Sequence, residues 1–322
     1  MSEPTRHETI TRREAATRLS ATALAAAALG GGALVFHDRR AVEAAPSPIP
    51  DWRRAGVTPP HPAVASRGAD PAANVRRVVT ALGGMDRFVG KGETVLIKPN
   101  VGWDRLPEQA ANTDPQVVAE LVRLCRAAGA SRVVVTDNSC NDPRRCFTRS
   151  GIRAAAEAAG AEVISSDQAR WTQASLAGLS SGLEVMAELL AADRVINVPV
   201  VKHHSLSRVT LGMKNWFGVL GRGRNRLHQD IDRAVAELGA TFRPTLTVVD
   251  ATRVLRANGP TGGSLSDVQA VGAVAAGTDP VACDAWGAAV LGHDPRQLGF
   301  IAEAERHGLG RGDAKLVKEL GT

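Results

Sequence analysis

The chain has 322 residues, 44% hydrophobic and 22% charged, enough for one large or two ordinary domains, which excludes a disordered, fibrous or disulfide-stapled chain. Thirty-nine Lys and Arg against 33 Asp and Glu give +6, a mild excess rather than the basic stripe of a nucleic-acid binder, and six Phe with five Trp leave little for base stacking. No Tyr is present, so no phenol can act as acid, base or nucleophile.

Residues 1–44 read as a processing segment. Thr11-Arg12-Arg13-Glu14 opens it, an Ala/Leu run from Leu19 to Phe36 follows, and Val42-Glu43-Ala44 resembles a small-residue cleavage site. Twin arginines before a weakly hydrophobic run predict a Tat-type signal, the Tat translocase as partner during export, and a periplasmic, envelope or extracellular destination. The alternative is a retained membrane anchor, but Gly30-Gly31-Gly32 and the many alanines make the run a poor span, so no stable span is expected after processing. Tat cargo folds before transport, often around a cofactor, which favours a bound metal or redox group.

Residues 45–71 are rich in Pro and Ala without apolar periodicity and read as a linker or surface-wrapping arm. The packed domain is expected over 72–322. Its first half alternates a helix near Asn74–Phe88, strand Thr94–Lys98, helix Pro115–Ala128, strand Arg132–Thr136, helix Arg149–Ala159 and strand Glu162–Ser165. The second half continues with strand Arg194–Val201, helix Ser207–Leu220, helix Asp230–Leu238, strand Thr245–Val249, a strand-like Val271–Ala276, and helices after Asp279 and Asp294. Strands separated by single helices predict an α/β fold built from βαβ units, a mainly parallel sheet with helices on both faces.

Asp114-Pro115, Asp279-Pro280 and Asp294-Pro295 each read as an N-cap with Pro at the first helical position, and Asp284 lies one turn beyond Asp279.

The familiar cofactor motifs are missing. The loop after Arg132–Thr136 is Asp137-Asn138-Ser139-Cys140, without the glycines a pyrophosphate needs, so NAD(P) is not expected. Gly259-Pro260-Thr261-Gly262-Gly263 lacks the Lys-Ser/Thr pair of an ATP-binding P-loop, and no H-E-x-x-H occurs. Cys125, Cys140, Cys146 and Cys283 contain no C-x-x-C, so no iron-sulfur cluster is encoded locally. Cys140 and Cys146 either pair across their polar loop or stay free thiols.

The densest chemistry is Asn197-Val198-Pro199-Val200-Val201-Lys202-His203-His204, followed by Thr210, Lys214-Asn215 and Gly218. A hydrophobic strand ending in one Lys and two His puts them where parallel sheets bind ligands. On a helix, Thr210, Lys214 and Gly218 would share one face, with Gly218 leaving room for close approach. The imidazoles suit a metal, and a desolvated Lys suits acid-base or nucleophilic work. Lys202 and Lys214 binding a carboxylate or phosphate is the plainer alternative. Gly221-Arg222-Gly223-Arg224-Asn225-Arg226 with His228 forms a basic glycine loop able to fork onto an anion. Lys98-Pro99-Asn100, Asp137 and Asp250 close three further strands with polar groups.

These residues resemble the DUF362 family (domain of unknown function 362), in its Tat-exported branch. The resemblance is carried by Val95-Leu96-Ile97-Lys98-Pro99-Asn100, Thr113-Asp114-Pro115, Asn197-Val198-Pro199 with Lys202-His203-His204, Thr210, Lys214-Asn215, Gly218, Val249-Asp250, Gly259-Pro260-Thr261-Gly262 and Asp279-Pro280 with Asp284, in order along the chain. The resemblance implies a mostly uncharacterised family in which some members carry appended iron-sulfur segments. No such segment occurs here, and no cluster is carried over.

The resulting expectation is an exported, metal-dependent enzyme doing redox or proton-transfer chemistry on a small anionic substrate. Lys214, Lys202 and Lys98 are the candidate catalytic residues, Asn100, Thr210, Asn215, Arg222 and Arg224 the candidate substrate ligands, and His203, His204, Asp137 and Asp250 the candidate metal ligands. The alternative is a protein that binds a metal or small anion without turnover.

Overall fold

The computed structural model describes residues 46–176, 178–179 and 183–321, so the signal reading over 1–44 lies outside the described residues. In chain order the main elements are β1 (Ser47–Pro48), β2 (Ala63–Arg67), α1 (Pro71–Ala81), β3 (Thr94–Pro99), α2 (Pro115–Ala127), β4 (Arg132–Asp137), α3 (Pro143–Arg149), α4 (Ile152–Ala158) and β5 (Glu162–Ser165). Then come β6 (Trp171–Ser175), β7 (Glu184–Met186), α5 (Ala187–Leu190), β8 (Arg194–Val198), β9 (Val200–His204), β10 (Arg208–Thr210), α6 (Gly212–Asn215), α7 (Ile231–Thr241), β11 (Leu246–Leu255), β12 (Val268–Gly277), α8 (Pro280–Val290), α9 (Gly299–Arg306) and β13 (Val317–Glu319).

Ten of these strands form one sheet, in the order β13-β2-β12-β11-β8-β3-β4-β5, with β9 continuing beside β11 and β10 pairing β9. From β11 through β8, β3 and β4 to β5 every pairing is parallel, while β12 runs antiparallel to both of its neighbours. The carboxyl ends of the parallel strands therefore share one edge, where such sheets bind ligands.

Alternation along the strands sends successive side chains to opposite faces. Val95 and Ile97 of β3 and Leu246 and Val248 of β11 face one buried layer with Val78, Val79, Val117 and Leu121 of α1 and α2. Leu96 of β3 and Val249 and Ala251 of β11 face the other, against Val235 of α7 and Val281 and Ala285 of α8. Each fully buried Val, Leu or Ile contributes roughly 1.5–3 kcal/mol, so these two layers hold helices on both faces. Five Asp-Pro pairs start helices here: Asp70, Asp114, Asp142, Asp279 and Asp294 each accept a backbone N–H from the following turn.

Four segments depart from the sequence reading. The 45–71 arm contains β2, an inner strand of the sheet, and Trp52, whose indole N–H donates to Ala192 O and which stacks on Phe242. Pro199, which has no N–H to donate, divides the expected 194–201 strand into β8 and β9. The expected 207–220 helix is instead strand β10, the four-residue α6 and a short 3-10 turn, because Val209 and Thr210 pair with β9 and glycines at 212 and 218 weaken a continuous helix. The expected 149–159 helix begins only at Ile152, after Gly151 at φ 73°, and α3 over Pro143–Arg149 was not expected. All four thiols are free, with Cys146 buried and Cys140 exposed. Among the described residues no helix is long and apolar enough to cross a membrane.

Candidate functional site

At the carboxyl edge of the sheet lies a cavity of about 140 Å³, below the roughly 300–1,000 Å³ typical of sites for drug-sized ligands. The whole sequence contains six lysines, and three of them, Lys98, Lys202 and Lys214, line this cavity. Each comes from a different segment: the end of β3, the middle of β9 and α6. All three are buried, the last with 6% of its surface exposed.

Lys98 Nζ donates to Asp137 Oδ1 at 2.6 Å, Pro99 O at 2.8 Å and Asn215 Oδ1 at 3.0 Å. Asp137 Oδ2 accepts the Val101 N–H at 2.6 Å. Asn215 Oδ1 also accepts from Asn100 Nδ2 at 3.0 Å, and Asn100 Oδ1 accepts from Lys202 Nζ at 2.9 Å. Two asparagines thus bridge two buried ammonium groups, and Lys202 adds a bond to Ala111 O at 2.6 Å. Burial lowers Lys98 from its ordinary value, opposed by the Asp137 charge, and pushes Lys202 down to about 7.

Lys214 is different. Its Nζ has no hydrogen-bond partner among the described residues and lies 4.5 Å from the centroid of the Phe217 ring. Burial brings its pKa to about 8, so a tenth or so of the side chain is neutral amine at pH 7. A cation over an aromatic face gains about 0.5–2 kcal/mol, which only partly offsets the lost hydration. Thr210 Oγ1, which lines the same cavity, is buried and without a partner among the described residues.

The short helix bearing Lys214 and Asn215 is held from a distance. Asp284, fully buried in α8, accepts the Gly212 N–H at 2.7 Å and the Met213 N–H at 3.0 Å. Burial raises its carboxyl to about 7, against the pull of those two donors. It therefore caps α6 instead of sharing its own helix end with Asp279. At Gly218 a Cβ would overlap Asp137 Oδ1 and come within 2.6 Å of Lys98 Nζ, so close approach does require glycine there.

The two adjacent histidines diverge. His203 Nδ1 accepts the Gly259 N–H at 3.1 Å, outside the cavity. His204 faces the cavity, but its Nδ1 accepts from Leu206 N at 3.1 Å and Ser207 N at 3.4 Å. With Nδ1 occupied as acceptor, the neutral ring carries its proton on Nε2 and presents an N–H donor, not a lone pair. Burial, with the Lys214 and Lys202 charges, lowers His204 to about 3. Asp250 Oδ2 accepts the Asp114 N–H at 2.7 Å and its Oδ1 the Thr252 N–H at 2.9 Å, away from the cavity, and burial raises its pKa. The four expected metal ligands therefore do not converge, because Asp137 is paired with Lys98 and the others serve backbone groups. Among the described residues no group of three or more His, Cys, Asp or Glu is placed to hold a metal ion.

Of the expected substrate ligands, Asn100, Thr210, Asn215 and Arg224 line the cavity. Arg224 spends part of its guanidinium on Asn138 O at 3.0 Å. Arg222 is exposed and, among the described residues, engages through its backbone N–H alone, on Glu184 at 3.3 Å. The sequence reading missed Phe217, treated only as neighbouring helix, and named His228 only with the basic glycine loop. His228 Nδ1 donates to Asn225 O at 3.3 Å, which leaves Nε2 as an acceptor, and its ring lies 4.9 Å from Phe217. Burial and the Lys214 charge lower its pKa. Cys140, Asn138, Trp103 and Pro260 also line the cavity. The scarcity of lysine was the available signal: half of a residue type that the surface hardly uses gathers at one point.

The arrangement can hold an anion among buried cations, donate from His204 Nε2–H and the Thr210 hydroxyl, and exchange a proton at Lys214 Nζ. The chain is similar to the thylakoid-associated protein sll1697 of Synechocystis sp. (strain ATCC 27184 / PCC 6803 / Kazusa), 29% identical over 256 residues that cover 77% of this chain and 78% of that protein. Residues 95–289, which supply Lys98, Asp137, Lys202, Lys214 and Asp284, match the family described as Domain of unknown function (DUF362). The cavity and its three lysines are thus carried by the matched region, and the chain belongs to the DUF362 family.

Proposed function

We propose that this protein binds a small anionic molecule in the three-lysine cavity and transfers a proton on it through the Lys214 amine. The observation that carries the reading is that Thr210 Oγ1 is buried without a partner, while Lys214, 6% exposed and lining the same cavity, makes no side-chain hydrogen bond among the described residues. Buried polar groups are nearly always hydrogen-bonded, so an orphaned hydroxyl beside an unengaged lysine in a cavity calls for a ligand that completes them. In this reading Arg224 supplies charge, Lys202 Nζ, His204 Nε2–H and Thr210 donate to the anion, and the Lys98–Asp137 pair with Asn100 and Asn215 fixes the frame. Lysine chemistry takes the place that a metal held in the sequence-based expectation, since the donors do not form a metal set.

The test incubates the protein in deuterated water with small carboxylates bearing exchangeable C–H bonds, follows deuterium uptake by NMR, and measures binding of the same anions by calorimetry. Uptake in wild type that is lost in Lys214→Met supports proton transfer. Binding without uptake for any anion leaves a capture protein, and absence of binding removes the reading.

For location, Thr11-Arg12-Arg13-Glu14 and the apolar run after it support export by the twin-arginine route. The thylakoid association of the Synechocystis relative supports a place at a membrane system. The Arg12→Lys/Arg13→Lys variant is expected to stay in the cytoplasm, and unchanged export of it removes this part.

A further inference from the structure

We propose that Lys214 forms a covalent imine with a small anion that carries an aldehyde or ketone carbonyl beside its carboxylate. This rests on the anion-binding reading above and names the substrate class.

The three cavity lysines are built differently. Lys98 has three acceptors and Lys202 two, which hold their Nζ atoms in place as donors. Lys214 Nζ has none among the described residues, and its neighbour is the face of Phe217. An amine can attack a carbonyl only when its lone pair is free, and a desolvated lysine beside other cations is the usual nucleophile of this kind. Lys214 sits near Lys202 and His204, since its charge is among the causes that lower both, and burial lowers its own pKa. The remaining donors, Lys202, Arg224, Thr210 Oγ1 and His204 Nε2–H, suit a carboxylate. A molecule that satisfies both sets carries a carboxylate and an electrophilic carbonyl within a few atoms of each other, which fits the cavity's small volume of about 140 Å³.

The step balances without an oxidant or co-reactant. Lys214 Nζ, as neutral amine, adds to the carbonyl carbon to give a carbinolamine. The carbonyl oxygen then leaves as water with the two amine hydrogens, and a C=N bond remains. Where Lys214 starts as ammonium, one further proton leaves to solvent.

The experiment exposes wild-type protein to glyoxylate or pyruvate with sodium cyanoborohydride, which reduces an imine to a stable secondary amine, and maps the adducts by peptide mass spectrometry. Only Lys91, Lys315 and Lys318 are other, exposed lysines in the chain, so background is easily separated. The expected result is modification of Lys214 at least tenfold faster than of those three, rising as pH passes 8 and suppressed by excess oxalate, which has the anionic groups without the electrophilic carbonyl. Adducts confined to the exposed lysines while calorimetry shows oxalate binding overturn the imine and leave the anion site standing. No Lys214 adduct together with no oxalate binding overturns both. Lys214→Arg is expected to lose the fast adduct, but mapping on the wild-type chain decides the matter even where that variant folds poorly.

Discussion

Lys98 and Asp137 form an ion pair at 2.6 Å with 0% and 3% of their side chains exposed, joining the ends of β3 and β4 beneath the cavity. Removing one partner of such a pair leaves an uncompensated buried charge, which costs about 3–5 kcal/mol. Asp137→Ala is expected to lose that much in urea denaturation. A Lys98→Met/Asp137→Leu double variant should recover part of it, because the desolvation cost disappears with both charges. An Asp137→Ala protein as stable as wild type contradicts a buried, charged pair.

Gly218 stands against the same pair. An added methyl has no space between Asp137 Oδ1 and Lys98 Nζ, so Gly218→Ala is expected to cost about 1–3 kcal/mol as overpacking and to weaken binding at the cavity. A thermal midpoint equal to wild type with intact anion binding contradicts this account of the turn.

Asp284 connects the far helix to the site. Asp284→Ala removes both caps of α6 and is expected to lower stability by about 2–5 kcal/mol as two buried N–H groups lose their acceptor. The sharper readout is the pH at which Lys214 titrates, which a remote packing defect would leave alone. It should move when α6 loosens, and an unchanged Lys214 titration in a folded Asp284 variant contradicts a positioning role.

Stability should dip near neutral pH. Asp284, raised to about 7 from 3.8, keeps its proton in the folded state where the unfolded chain has lost it, so its contribution falls as pH rises from about 4 to 7. Asp250, raised to about 6, acts in the same direction, and His204, lowered to about 3 from 6.5, offsets one of the two below 6.5. Lys202 and Lys214, lowered to about 7 and 8 from 10.5, bind fewer protons folded than unfolded, so stability climbs again between those values and 10.5. Denaturation midpoints across pH 4–10 check this, and a Lys202→Met/Lys214→Met protein should lose the alkaline rise.

Much of the fold was legible because its signals are local. The alternation in Val95-Leu96-Ile97, the Asp-Pro caps and the single helices between strands specify a mainly parallel α/β sheet, and β5 appears at the expected residues. What escaped depended on distant pairing. Val209-Thr210 looks helical beside Met213 and Trp216 until β9 is there to pair with it. Ala63–Arg67 is short and flanked by prolines, and becomes a strand only between β12 and β13.

At the site, residue types were readable and their partners were not. Lys98, Lys202, Lys214, Asn100, Thr210, Asn215 and Arg224 line one cavity. The tautomers of His203 and His204 depend on backbone N–H groups of Gly259, Leu206 and Ser207, which no spacing rule reveals. Two adjacent histidines therefore read as a metal pair, although each ring already accepts from the chain.

The state of Lys214 tests the central claim most directly. With six lysines in the chain, selective isotope labelling gives a spectrum simple enough to follow each side chain by NMR, with Lys214→Arg assigning its signal. Lys214 is expected to titrate near 8 and to shift upward when oxalate or phosphate binds, because an anion in the cavity favours the ammonium form. A Lys214 signal that titrates above 10 and ignores every small anion would contradict the account.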